Sequence, residues 1–262
     1  MSKTTAKPRK HFQSANPGIA RIPEEISDSV RIIGDKTTWL SRIGPISPEA
    51  LYRHFDARFG GGLTDLSIFL YPHNAEMIVK NCGPDHKLSA LLAKEGKMLR
   101  VGLLKVDGTQ YSGKGKAFLQ TLPSLCQTLS VSKIETEAGL DDGPYFWARH
   151  GFEVTPETNL IPFAKNIFLN HKACQFHLPD EVNAAIEKEL LHFSADTPGN
   201  LARLPYTLDG RPIGAVLLSL EDNLPMILDL NNGEQKRRFT EAINRRSGSP
   251  AEITLSLNAG LN

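Results

Sequence analysis

Between residues 98 and 122 an apolar run, Met98 to Val106, leads through Gln110-Tyr111-Ser112-Gly113-Lys114-Gly115-Lys116 into a segment with helical apolar spacing. Strand, glycine turn, helix is an order that suits anion binding. The first N–H groups of a helix have no internal partner, and the helix dipole favours negative charge beside them. A phosphate or pyrophosphate is the natural guest. Two glycines let backbone approach such a ligand without a Cβ in the way, and two lysines add charge.

Glu135 and Glu137 stand two apart in a run, Lys133 to Ala138, that alternates polar and apolar residues. On a strand they share one face, and either carboxylate could take a proton from an attacking amine or hydroxyl. Asp141 and Asp142 follow at once. Solvated strand and turn carboxylates are the plainer reading of all four. His150 is the candidate that could titrate near neutral pH, against the plainer reading of a packed or surface histidine. The three cysteines, Cys82, Cys126 and Cys174, are far apart and include no C-x-x-C pair. They suggest no metal site and fit a reducing, cytoplasmic compartment.

The elements that must position these groups are partly readable. Ser47-Pro48-Glu49 opens a helix, with Ser47 as cap, Pro48 in the first position and Leu51, Phe55 and Phe59 as its apolar stripe. Leu66–Tyr71 and Glu76–Lys80 read as a hairpin turning at Pro72 to Ala75, Leu88–Glu95 as a short helix or turn, and Met98–Val106 as a strand. The helix after the glycine turn should bend or break near Leu119 to Pro123, because an internal proline costs about 3 kcal/mol. Lys133–Ala138 is a strand, Tyr145–His150 a short helix stopped by Gly151, and Phe152–Val154 and Ile167–Leu169 are strand candidates. Pro179–Phe193 is a helix. Ile213–Leu220 and Met226–Leu230 read as a hairpin, and Glu234–Arg246 as a basic amphipathic helix.

Three ligand classes compete for the glycine turn. A P-loop needs a Ser or Thr after its lysine to hold Mg²⁺, but here Gly108 to Lys114 is followed by Gly115. A dinucleotide fingerprint needs a third glycine where Phe118 stands. The third class matches better. Gln110-x-x-Gly113-x-Gly115 resembles the Q/R-x-x-G-x-G/A signature of the GNAT acyltransferase superfamily, and Phe146-Trp147-Ala148-Arg149-His150-Gly151-Phe152 resembles the segment that closes its acyl-CoA site. The resemblance covers roughly residues 63 to 163. Gly143 to Phe152 also resembles GNAT-like domains of phage-associated and bacterial effector proteins.

The resemblance implies a mixed, twisted α/β (α+β) sheet flanked by helices, with extensions at both ends. It implies an acyl-CoA cofactor, acetyl-CoA first. Tyr111, Ser112, Gly113, Lys114 and Gly115 would hold the pyrophosphate with Gln110 and Lys116 beside them. Leu104 to Val106 would face the pantetheine arm and thioester oxygen, with Trp147 near it. The reaction would be N-acyl transfer to an amine on a protein or small molecule. The alternative is a GNAT-like binding or effector protein without turnover. The family's usual acid is a tyrosine at the position of Trp147, which cannot donate that proton. Tyr145 is the nearest substitute. The Val106 to Gln110 link is also one residue shorter than usual.

Composition sets the remaining bounds. With 262 residues, 40% of them hydrophobic and 23% charged, the chain can form a globular core. We expect a tail at residues 1–20 and a single domain at 21–262, its core at 63–163 and a C-terminal extension at 164–262. A net charge of +1 gives no general case for nucleic acid or membrane, and no apolar run has the length of a membrane helix. The basic, polar N-terminus, Met1 to Lys10, reads as a solvated tail or as the export signal of a secreted effector.

Overall fold

The computed structural model describes residues 29–58, 63–82, 87–107, 114–139, 143–219, 223–244 and 253–255. Its frame is a mixed sheet of eight strands, β1 (Val30–Gly34), β2 (Leu63–Leu70), β3 (Ala75–Cys82), β4 (Lys87–Glu95), β5 (Met98–Asp107), β6 (Lys133–Ala138), β7 (Glu153–Val154) and β10 (Leu224–Asp229). They lie in the order β1-β2-β3-β4-β5-β6-β10-β7. The β2 to β5 neighbours are antiparallel, β1 runs parallel to β2, and β5 runs parallel to β6. A second, small sheet joins β8 (Tyr206–Leu208), β9 (Arg211–Pro212) and β11 (Ile253–Leu255).

Period-2 patterning builds the sheet. Leu66, Ile68, Met77, Val79, Ala90, Leu92, Leu99, Val101, Ile134, Leu224, Met226 and Leu228 are buried, while their sequence neighbours are more exposed. Helices α1 (Trp39–Arg42), α2 (Pro48–Arg58) and α3 (Lys114–Thr128) follow β1 and β5. The Ser47 hydroxyl accepts from the Ala50 N–H at 3.2 Å, capping α2, and Leu51 and Phe55 are fully buried, whereas Phe59 lies outside the described residues.

Four expectations are corrected. Leu88–Glu95 is strand β4, not a helix or turn. Leu and Ala favour helix, but Leu88, Ala90 and Leu92 point inward at period 2 and the segment is paired on both sides. Lys94 ends that buried row, and burial, then the charge of Arg42, lowers its pKa. α3 is one helix through Pro123. Beside the proline, the Ser124 hydroxyl donates to the Thr121 carbonyl at 3.2 Å, and His54 Nε2 lies 3.2 Å from the same oxygen.

The other two corrections fall in the C-terminal part, which holds α4 (Gly143–Arg149), α5 (Leu160–Cys174), α6 (Asp180–Leu191), α7 (Thr197–Ala202), α8 (Ile213–Leu217) and α9 (Gly233–Asn244). Ile167–Leu169 is helical, inside α5, whose Asn159 cap accepts from the Ile161 N–H. Ile213–Leu217 is helix α8, not half of a hairpin, and β10 pairs instead with β6 and β7. The 164–262 segment therefore supplies an interior strand, next to the edge of the sheet. No helix among the described residues is long and apolar enough to cross a membrane.

Candidate functional site

The unit β5–α3–β6 carries most of the candidate residues. β5 and β6 pair only from Met98↔Lys133 to Val101↔Thr136, although β5 continues to Asp107. The register of β5 against β4 shifts at the same level. Leu92 faces Val101 and Leu91 faces Leu103, so Gly102 is the extra residue of a bulge. The Thr136 hydroxyl closes the paired part by donating to the Val101 carbonyl at 3.1 Å. Beyond this point β5 and β6 part. Among the described residues, the β5 backbone from Gly102 onward has no ladder partner on the β6 side.

Leu104 lies on this stretch and packs partly against the core. Val106 lies there too, by its backbone register opposite Leu88. Gln110, Tyr111, Ser112 and Gly113 lie outside the described residues. Lys114 begins α3, followed by Gly115 and Lys116, and the first turn contains no acidic residue. The positive end of a helix dipole and two lysines thus stand at the end of the connection from β5.

The second sequence motif has its own structural reason. α4 ends in a Schellman arrangement. The Phe152 N–H donates to the Trp147 carbonyl at 3.2 Å and the Gly151 N–H to the Ala148 carbonyl at 3.0 Å, with Gly151 at φ +87°. Phe152 packs edge-on to Trp147, with ring centroids 4.8 Å apart. Trp147 is 5% exposed and also touches Phe146. Its position, expected beside a cofactor, is accounted for by the core.

Tyr145 is partly buried on α4, and its phenol oxygen accepts from the Arg149 guanidinium, which also lies 5.5 Å from the ring centroid. His150 follows, with Nδ1 donating to the Phe146 carbonyl at 2.7 Å. Burial pushes the His150 pKa down to about 4, and the charges of Arg149 and Lys116 push the same way. It is neutral at pH 7 and does not titrate there.

Glu135 and Glu137 share the face of β6 opposite the buried Ile134, Thr136 and Ala138. Glu135 forms an ion pair with Arg100 at 3.6 Å, and Arg100 also reaches Glu95 at 3.8 Å. Glu137 is exposed on β6 just past the last residue paired with β5. Arg100, Arg149 and the Gly102 bulge were missed in the sequence. A glycine inside a strand is a bulge signal, so Gly102 could have been found. Burial raises the Cys126 thiol to about 12 and also raises Cys174, so neither is poised as a nucleophile. Among the described residues no group of His, Cys, Asp and Glu could hold a metal ion. No family model matches the chain, and no curated protein or solved structure matches it either.

Proposed function

We propose that the chain is an acyl-CoA-dependent N-acyltransferase, with acetyl-CoA as the first candidate cofactor. The observation that carries this reading is the parting of β5 and β6 after Val101 and Thr136, beside the cationic first turn of α3. A long ligand with a pyrophosphate at one end and an extended amide arm at the other fits those two features. The cofactor would supply an acyl group activated as a thioester. Lys114, Gly115 and Lys116 would hold the pyrophosphate together with the turn residues Gln110 to Gly113. Backbone groups of β5 past Gly102 would pair with the amide arm and orient the acyl carbonyl. Glu135, held by Arg100, and Glu137 are the candidate bases for an acceptor amine. Tyr145 is the candidate acid, and Arg149 fixes its hydroxyl.

One observation favours a second reading, a GNAT-like binding protein without turnover, for example an exported effector. The position of the family's acid is filled by a buried Trp147, and Tyr145 is already engaged by Arg149. Calorimetric titration with acetyl-CoA, with ATP and NAD as controls, tests the site. We expect saturable binding of acetyl-CoA alone and its loss in Gly113→Glu, which puts a carboxylate in the pyrophosphate seat. Binding that survives this change overturns the assignment. ATP binding that requires Mg²⁺ would point to phosphoryl transfer. A thiol-release assay with amine acceptors then separates enzyme from binder.

A further inference from the structure

Five of the eight large apolar side chains exposed on the described surface belong to α5, the turn after it, and α6: Ile161, Phe168, Leu169, Phe176 and Leu191. Their arrangement is ordered. On α5, Ile161, Lys165, Phe168 and Lys172 follow i, i+4, i+7, i+11, and Leu169 borders them. At 3.6 residues per turn these form one outward stripe. Phe176, 87% exposed, continues it into the short 3-10 turn Gln175–His177. Lys172 lies 5.4 Å from the Phe168 ring centroid. No acidic residue occurs between Glu157 and Asp180, so the stripe is apolar and cationic.

α6 presents the opposite sign at the same spacing. Asp180, Ala184, Glu187 and Leu191 also follow i, i+4, i+7, i+11, and all four are exposed. Phe176 lines one open recess of about 540 Å³ with Asp180, Ala184 and Glu187, so the two stripes meet on one surface. An apolar surface of this extent marks a contact site.

We propose that this α5–α6 face binds a second copy of the chain in a two-fold dimer, with α5 of each copy lying against α6 of the other. Charge selects that occupant. An anionic bilayer would attract Lys165 and Lys172 but repel Asp180 and Glu187 beside them. An acidic helix from another protein meets the same conflict. Pairing α5 with α5 would set lysine against lysine. A two-fold axis near Phe176 instead places the lysines of each copy against the carboxylates of the other, and every contact occurs twice. The inward face of α5, with Ile167 and Cys174, already packs on the core, so the outward stripe is available without unfolding.

Sedimentation velocity of the full chain over a concentration series tests this. The expected result is a species of two chain masses. Phe176→Asp should shift it to one chain mass, with an unchanged far-ultraviolet circular dichroism spectrum because the side chain is exposed. Lys172→Glu alone and Asp180→Lys alone should each weaken the dimer at least tenfold, and the double variant should restore it, since each copy then carries both exchanged charges. A wild-type chain that stays monomeric at every concentration overturns the proposal. So does a dimer indifferent to Phe176→Asp, or a double variant weaker than either single one. A monomer that floats with phosphatidylserine-containing vesicles but not with neutral ones would assign the stripe to a membrane surface instead.

Discussion

The two connections that complete the sheet differ in kind. From β5 the chain crosses through α3 to β6, its immediate parallel neighbour. From β7 it leaves the sheet for α5, α6, α7, the small second sheet and α8, and returns as β10, which inserts between β6 and β7. The first connection is a local crossover whose helix covers the strands it joins. The second is a helical layer whose last strand returns to a slot between two strands that precede it in the chain. The local unit can hold a site because its strands part without losing their other neighbours. The distant return of β10 then closes the β6 side of that unit.

If the helical layer is a close-packed part of the fold, Gly214→Val should give the largest effect. A Cβ at Gly214 would sit 2.6 Å from the Leu201 carbonyl oxygen and 2.7 Å from the Ala202 Cα, both backbone atoms of α7 that cannot step aside cheaply. We expect destabilisation of about 3 kcal/mol or more, since overpacking costs 1–3 kcal/mol even where neighbours yield. Urea unfolding followed by circular dichroism measures it. A change below about 1 kcal/mol would mean that α7 and α8 are loosely held, and the contrast between the two connections would fail.

His150 follows α4, in the link from β6 to β7, and feels the charges of Arg149 and of Lys116 on α3. Its folded pKa, about 4, is below the ordinary 6.5. The folded state therefore prefers the neutral ring, and this contribution is fully present above pH 6.5. As pH falls toward 4 the unfolded chain takes up the proton first, and the contribution is lost. The shift corresponds to about 3 kcal/mol at most. His150→Gln should flatten the loss of stability between pH 6.5 and 4. An unchanged pH slope would show that burial does not hold the His150 ring neutral.

Gln235 ties the inserted strand to its neighbour. It is 5% exposed, its amide donates to the Glu153 carboxylate at 2.6 Å, and its carbonyl accepts from the Asp229 N–H at 2.6 Å. Gln235→Ala should cost about 2 kcal/mol by leaving two partners unsatisfied, and amide exchange should rise first at the β10 end near Asp229. Uniform exchange across the sheet would indicate that β10 is not held locally.

Legibility followed the same division. The α2 cap, the β2–β3 hairpin and the β5–α3–β6 order were readable, because each is set by residues near in sequence. So was the end of α4, where Gly151 supplies a positive φ. α5 was misread in part because it has apolar side chains on both faces, Ile167 inward and Phe168 and Leu169 outward, which blurs a helical period. Ile213–Leu217 is nearly all buried, and an apolar run without a polar face reads equally well as a strand. The partners of β10 could not be read, since nothing local to Leu224–Asp229 specifies β6. Of the site, the glycine turn and the carboxylates were visible. The parting strands and the Arg100 and Arg149 clamps depend on three-dimensional register.

The smallest effect should come from the most local feature. Ser47→Ala removes the hydroxyl that accepts from the Ala50 N–H at the start of α2, leaving that donor to water. Such a cap is worth about 1 kcal/mol, and Glu49 in the first turn still complements the helix dipole. Ser47→Asp should retain most of the stability, because its carboxylate can accept the same bond. Paired urea melts of the two variants make the comparison. A loss near 3 kcal/mol for Ser47→Ala would mean that α2 depends on its cap as heavily as α8 depends on its packing. The division between locally specified and tertiary-specified elements would then not hold even at the helix where the sequence is plainest.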